Sequence, residues 1–340
     1  MRIRAAATWA AAAGLALSAP AAFGLAPDAP QPPKWYETVT VSGWVQLDAI
    51  FPEGAATLDK QSNFRIRRAR PTISAQIDPA TRIQIQVDAS TGKYGSGNAT
   101  ATVCDTFAER KVADAGYVLF GQYILPYGAE IWEDNAAVRS PMELSYVADR
   151  LALGERDLGL QFRSSPRPSD PIWWGIALVN GQGFRSADGN ANKTFAGRYA
   201  YTVRPGFRVG ASAIVGKWRS ATAGKDFDRH VLGCEAHVSL NENLEMTGEF
   251  YNARFVDDTT AATPNAARVN GGYLMIEKKI KSINSTPFIR YQRTYGDLDY
   301  RSFDLGWRYQ YAKTQRVTVE YDIARKAKMS AFSARWQLGF

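Results

Sequence analysis

Six stretches of this chain alternate apolar and polar side chains, and in each the apolar set carries no charge. Ile83, Ile85, Val87 and Ala89 oppose Arg82, Gln84, Gln86 and Asp88. Leu158, Leu160 and Phe162 oppose Gly159, Gln161 and Arg163, and Leu244, Met246, Gly248 and Phe250 oppose Glu245, Thr247, Glu249 and Tyr251. Phe303 to Tyr309, Val317 to Ile323 and Phe332 to Phe340 follow the same rule. Side chains of an extended strand point alternately to its two faces, so each stretch is a ribbon with one greasy and one polar side. A soluble sandwich would hide the greasy sides between two sheets. A barrel in a bilayer turns them outward, where an Arg or Lys near the midplane costs about 2–4 kcal/mol.

The pattern extends along the chain to sixteen candidate strands, near 39–51, 63–77, 81–90, 102–111, 116–125, 156–164, 171–180, 193–204, 207–218, 229–239, 244–255, 269–281, 286–294, 302–311, 316–324 and 331–340. Three features fit poorly. Trp44 stands on a polar side, the Arg67-Arg68 pair breaks the alternation of the second segment, and Glu277-Lys278-Lys279 crowds the end of the twelfth. Links after even segments are tight, as in Asp78-Pro79-Ala80 and Pro205-Gly206, whereas those after odd segments are mostly longer and rich in Gly, Asn and Asp. Short periplasmic turns opposite longer outer loops are the habit of membrane barrels. An unpaired backbone N–H or C=O in hydrocarbon costs several kcal/mol, so the first strand is expected to pair antiparallel with the last. No apolar run beyond the N-terminus reaches the roughly 20 residues of a membrane helix. Aromatics at 12%, with 16 Tyr and 9 Trp, suit interfacial girdles.

The N-terminus reads as an export signal: Met1-Arg2-Ile3-Arg4, an Ala/Leu-rich stretch to Ala19, then small residues. We expect residues 1–24 to be a signal peptide, 25–36 a Pro-rich periplasmic segment and 37–340 the barrel. The formal charge is +8 and falls to +6 once Arg2 and Arg4 are removed. Outside the cytoplasm nucleic acid is not an expected partner, and a basic pore wall that attracts anions is the sharper explanation. Cys104 and Cys234, the two cysteines, are expected to face lipid from different walls and to stay unpaired.

One link is far longer than the rest. Phe120-Gly-Gln-Tyr-Ile-Leu-Pro-Tyr-Gly128 leads into residues 126–155, which end at Arg156-Asp-Leu-Gly159, and a loop of that length in a compact fold is usually functional. Its Ile131, Trp132, Val138, Met142, Leu144, Tyr146, Val147, Leu151 and Leu153 are too apolar for water, and folded inward they would narrow a channel. The ordered set Phe64-Arg-Ile-Arg-Arg-Ala-Arg70, Gly121-Gln122 to Pro126-Tyr127-Gly128, Arg156 to Gly159 and Asn180-Gly-Gln-Gly183, closing on an aromatic terminal strand, resembles the phosphate-selective porin O/P family. The resemblance implies an all-β, sixteen-stranded transmembrane antiparallel barrel in the bacterial outer membrane. It further implies a homotrimer, a water-filled bore and a third extracellular loop folded inward.

The charges then have expected places. Arg68, Arg70, Arg82, Arg163, Arg198 and Arg308 are the candidate pore-lining, anion-attracting residues, with Arg204, Arg208, Arg290 and Arg335 on inward faces too. The loop supplies Glu130, Glu133, Asp134, Arg139, Glu143, Asp149 and Arg150, with Glu155 at its end, and it contains no lysine. Acidic loop facing basic wall implies a transverse field across the eyelet. Catalysis is not expected. Only His230 and His237 are present, and no Ser–His, zinc-ligand or phosphate-loop spacing occurs, so no enzyme activity and no cofactor or metal are expected. The expected function is passive diffusion of small hydrophilic solutes and ions with modest anion preference. A phosphate- or polyphosphate-selective pore with a binding site is the alternative, and a plugged structural barrel or outer-membrane enzyme is the second.

Overall fold

The computed structural model describes residues 38–53, 62–90, 100–132, 139–151, 156–183, 188–220, 224–256, 266–324 and 329–340. Among them sixteen strands follow one another. They are β1 (Thr40–Glu53), β2 (Asn63–Asp78), β3 (Thr81–Ser90), β4 (Thr100–Lys111), β5 (Tyr117–Ile124), β6 (Arg156–Arg163), β7 (Ile172–Val179) and β8 (Thr194–Arg204). The second half continues with β9 (Phe207–Arg219), β10 (Asp226–Asn241), β11 (Leu244–Val256), β12 (Ala266–Lys278), β13 (Ser285–Gly296), β14 (Arg301–Ala312), β15 (Gln315–Ala324) and β16 (Met329–Gly339). Each strand pairs antiparallel with its neighbours in sequence, and β1 pairs with β16 to close the barrel. Pairing runs from Trp44 opposite Gly339 to Glu53 opposite Ser330. Reciprocal backbone bonds of 3.0 and 2.9 Å between Gly43 and Phe340 finish the seam, so the terminal aromatic residue ends the ladder. The sixteen segments expected from alternation are the sixteen observed. The predicted signal peptide and N-terminal segment lie outside the described residues.

The outer face carries a broad band of apolar side chains. Phe120, Leu158, Leu160, Phe162, Ile176, Leu178, Phe250, Leu274, Leu305 and Trp336 are all exposed. Buried polar side chains stand between them on the other face, among them Gln161, Glu249, Asp304 and Arg335. That inversion is what a closed sheet in lipid requires, because hydrocarbon surrounds the skin and polar side chains must turn inward.

Two bulges set the inner chemistry. Gln46 faces Arg68 and Leu47 faces Ile66, which leaves Arg67 as an extra residue in β2. An added residue reverses the side-chain phase of the strand beyond it. Phe64 and Ile66 therefore stay outside, while the side chains of Arg65, Arg67, Arg68 and Arg70 are all largely shielded on the inner wall. The irregular Arg67-Arg68 pair of the sequence is this bulge. The second lies in β4, where pairing shifts between Ile85 and Val87. Cys104 and Asp105 are both buried there, with Val103 exposed beside them. Cys104 is thus not on the lipid face, contrary to the expectation from simple alternation; Cys234 is exposed, and both thiols are free.

Candidate functional site

The stem of the long loop is built from the short motifs that flank it. Gly121 and Gly159 face each other across β5 and β6, with Gly121 at φ +136°, where a side chain would strike the Thr106 carbonyl. Arg156 grips Asp105 with bonds of 2.8 and 3.1 Å. The Asp157 carboxylate accepts the backbone N–H of Gly181 at 2.9 Å and of Gly183 at 3.1 Å, both glycines having positive φ. The Arg156–Gly159 and Asn180–Gly183 motifs therefore interlock, and the exit of the loop is fixed to the next outer link.

From that stem the loop reaches inner-wall residues on strands remote in sequence. Helix α1 (Ala129–Trp132) and helix α2 (Tyr146–Leu151) bracket its described part. Ile131, Leu144, Val147 and Ala148 are buried in one cluster with Tyr251 and Ala253 of β11 and Ala267 and Val269 of β12. Val138 and Leu153 lie outside the described residues.

Polar bonds fix the same loop around the cluster. Glu130 bonds Arg290 of β13 at 2.9 Å and accepts from Ser145 Oγ at 2.6 Å, and its backbone N–H donates to Glu249. The Met142 N–H donates to Glu320 of β15 at 2.7 Å, and the Tyr146 N–H to Gln292 of β13 at 2.6 Å. Arg290 also donates to Asp304 at 2.6 Å and to the Glu143 carbonyl at 3.0 Å.

Glu143 is the hub. Arg67 donates to both its oxygens at 2.7 and 2.8 Å, Arg335 at 2.8 Å and Arg68 at 3.3 Å, with Arg65 at 3.8 Å. Burial alone would raise this carboxyl, but the guanidinium groups of Arg67, Arg68 and Arg335 hold it well below its ordinary range. Beside it Asp48 of β1 takes Arg335 at 2.7 and 2.8 Å and Arg65 at 2.9 Å. Asp88 takes Arg70 at 2.8 Å, and Arg70 lies over the Trp44 ring at 5.2 Å, which explains the aromatic side chain on a polar face.

The other predicted residues fall outside this hub. Arg82 and Arg163 share Glu109, Arg198 pairs with Glu235, and Arg308 donates to Thr286 at 3.3 Å. Arg208 ties down the link after β6 through the carbonyls of Asp170 and Pro168. Arg139 is buried and Asp149 exposed, whereas Glu133, Asp134, Glu155 and the Arg150 side chain lie outside the described residues. Glu130 and Glu143 do not stand across a gap from the wall arginines; they touch them. His237 bonds Thr247 on the inner side at 2.9 Å, and His230 is exposed outside.

Sequence reading left Arg65 and Arg67 out of the site, since strict alternation cannot turn four arginines of one strand inward. It also left Asp48 unassigned, although the polar side of the first segment carried it.

A family model described as phosphate-selective porin O and P matches residues 39–281. No curated protein sequence matches the chain. Among solved structures, the anion-selective porin from Comamonas acidovorans superposes with a TM-score of 0.66 at 12% identity, over 89% of this chain and 99% of that one. A loop-L8 deletion mutant of OmpT from Vibrio cholerae gives 0.66 at 14% identity over the same shares. The outer membrane channel DcaP of Acinetobacter baumannii gives 0.58 at 14% identity, over 88% of this chain and 97% of that one. At such identities the likeness is one of fold.

Proposed function

The chain belongs to the phosphate-selective porin O and P family, and on that premise we propose a passive pore that admits small hydrophilic solutes and modestly favours anions. The protein is a bacterial outer-membrane channel. The carrying observation is the arginine patch that the β2 bulge turns inward. Arg65, Arg67, Arg68, Arg70 and Arg335 stand against Asp48, Asp88 and Glu143, five guanidinium groups to three carboxylates. Guanidinium stays charged at every physiological pH, so two positive charges remain in excess and lower the barrier for an anion at the wall.

The same geometry speaks against tight phosphate capture. Each arginine of the patch already holds a carboxylate at 2.7–3.3 Å, so phosphate must displace a bound carboxylate to win a bidentate contact. Arg68, Arg70, Arg82, Arg163, Arg198 and Arg308 serve as a distributed positive lining, and the loop around Glu130, Arg139 and Glu143 as a docked constriction. Cleavage of residues 1–24 on export, assembly as a homotrimer and absence of any catalysed reaction complete the proposal. OmpT from Vibrio cholerae, a fold neighbour, has been solved in a trimer form.

The test is chloride conductance of the purified channel during phosphate titration. A pore without a tight site loses chloride current gradually, in proportion to phosphate present. A sharp block at low phosphate would replace this proposal with a phosphate-binding pore, and zero conductance with a plugged barrel.

A further inference from the structure

The outer skin at the long-link end of β10–β14 departs from the rest of the barrel. His230 faces Arg254 across β10 and β11, and Arg254 faces Arg268 across β11 and β12. Arg293 faces Arg301 across β13 and β14, and Arg293 stands opposite Gly272, four residues further along β12 than Arg268. All are on the outer side. Their strand neighbours Val231, Ala253, Ala267, Val269, Gln292, Thr294 and Ser302 are buried inward.

Like charges directly opposite in a sheet are destabilising. Nearby on the same face the cost is offset by carboxylates: Lys217 lies 4.0 Å from Asp228 and Arg219 3.1 Å from Asp226. Arg293 leans on Asp299 at 3.3 Å and on the Tyr295 ring at 4.6 Å. Among the described residues no carboxylate forms an ion pair with the guanidinium of Arg254, Arg268 or Arg301, although Asp297 accepts the Arg268 backbone N–H at 2.8 Å. Long links mark the outer-leaflet end. The uncompensated guanidiniums therefore lie at headgroup height, where facing the membrane costs little.

Immediately toward the midplane lies an apolar groove of about 480 Å³. Gly248 and Gly272 leave its floor bare, Phe250, Leu274, Tyr291 and Tyr295 wall it, and Arg293 stands at its rim. A basic cluster in which Arg254, Arg268 and Arg301 make no ion pair, at the edge of a greasy slot, matches a molecule with anionic head and hydrocarbon tail. We propose that this face binds a phosphorylated glycolipid of the outer leaflet. Its phosphates sit among Arg254, Arg268, Arg293 and Arg301, and one acyl chain lies over Gly248 and Gly272.

The test uses full-length barrel in detergent, bis-phosphorylated lipid A as probe and native mass spectrometry as readout. Wild type takes up lipid A, and the same glycolipid stripped of phosphate binds far more weakly. The R254Q/R268Q/R301Q variant loses about a hundredfold in affinity, and the corresponding triple lysine variant keeps most of it. Single-channel conductance of the glutamine variant is unchanged, because these side chains face away from the bore; the pore proposal thus stands or falls separately. Equal binding by wild type and glutamine variant overturns the proposal. So does equal binding of phosphate-free glycolipid. Loss of the oligomer in the glutamine variant, with lipid uptake intact, would assign the face to a second copy of the chain and also overturn it.

Discussion

Replacing Glu143 with Gln removes one negative charge from the hub while keeping its size. Arg67, Arg68 and Arg335 lose a shared carboxylate that they hold at 2.7–3.3 Å. Removing one partner of a buried pair costs about 3–5 kcal/mol, and 28% side-chain exposure of Glu143 places the change at the lower end. That is too little to undock the loop. Glu130 keeps Arg290 at 2.9 Å, and Ile131, Leu144 and Val147 each contribute about 1.5–3 kcal/mol by burial. The visible effect is on permeation. For an ion passing about 6 Å away in water, a unit charge is worth about 0.7 kcal/mol, cut to about 0.4 kcal/mol by screening at about 0.1 M salt. The sign helps an anion and hinders a cation, so the anion-to-cation permeability ratio rises about three- to fourfold. At about 1 M salt the same change shrinks below about 1.5-fold. The assay is the reversal potential across a planar bilayer under a salt gradient. A ratio unchanged or moved toward cations at low salt would refute the placement of Glu143 beside the conduction path. So would an effect of equal size at high salt.

The depressed Glu143 carboxyl gives a pH profile. Its contribution to loop docking is complete above the ordinary carboxylate range and disappears only as pH falls through the lower value it has in the fold. The difference in selectivity between wild type and the Glu143→Gln variant therefore stays constant from about pH 8 to about pH 5 and closes only in stronger acid; a difference that closes near neutrality would contradict the hub. Asp157→Ala leaves the N–H groups of Leu158, Gly181 and Gly183 without their acceptor. It lowers the temperature at which the folded, detergent-resistant band disappears on a gel, by the cost of about 1–3 kcal/mol for each donor left unsatisfied. An unshifted band would show that the interlocked motifs do not hold the stem. In folded micelles a hydrophobic maleimide labels Cys234 and spares Cys104 until the barrel is unfolded; labelling of both at one rate would place Cys104 outside.

Alternation of side chains, link lengths and the requirement for closure made the barrel legible, because each is a local consequence of a sheet between lipid and water. A bulge is not local in that sense. Arg67-Arg68 and Cys104-Asp105 each look like an error of phase in one strand, and only the partner strand shows which residue is extra. The hub was legible in its ingredients but not in its pairing. Glu143 meets Arg335 across 192 residues of sequence, and nothing local tells an acidic loop which wall it will touch. Contact instead of separation turns a field across an eyelet into a set of ion pairs with a residual positive excess.

Current through one reconstituted barrel tests the central claim most directly. The expected record is stepwise, persistent conductance with a reversal potential displaced to the anion side at low salt, carried by the surplus of guanidinium over carboxylate at β1, β2 and β16. Silent bilayers with correctly folded protein, or a displacement to the cation side, would contradict it.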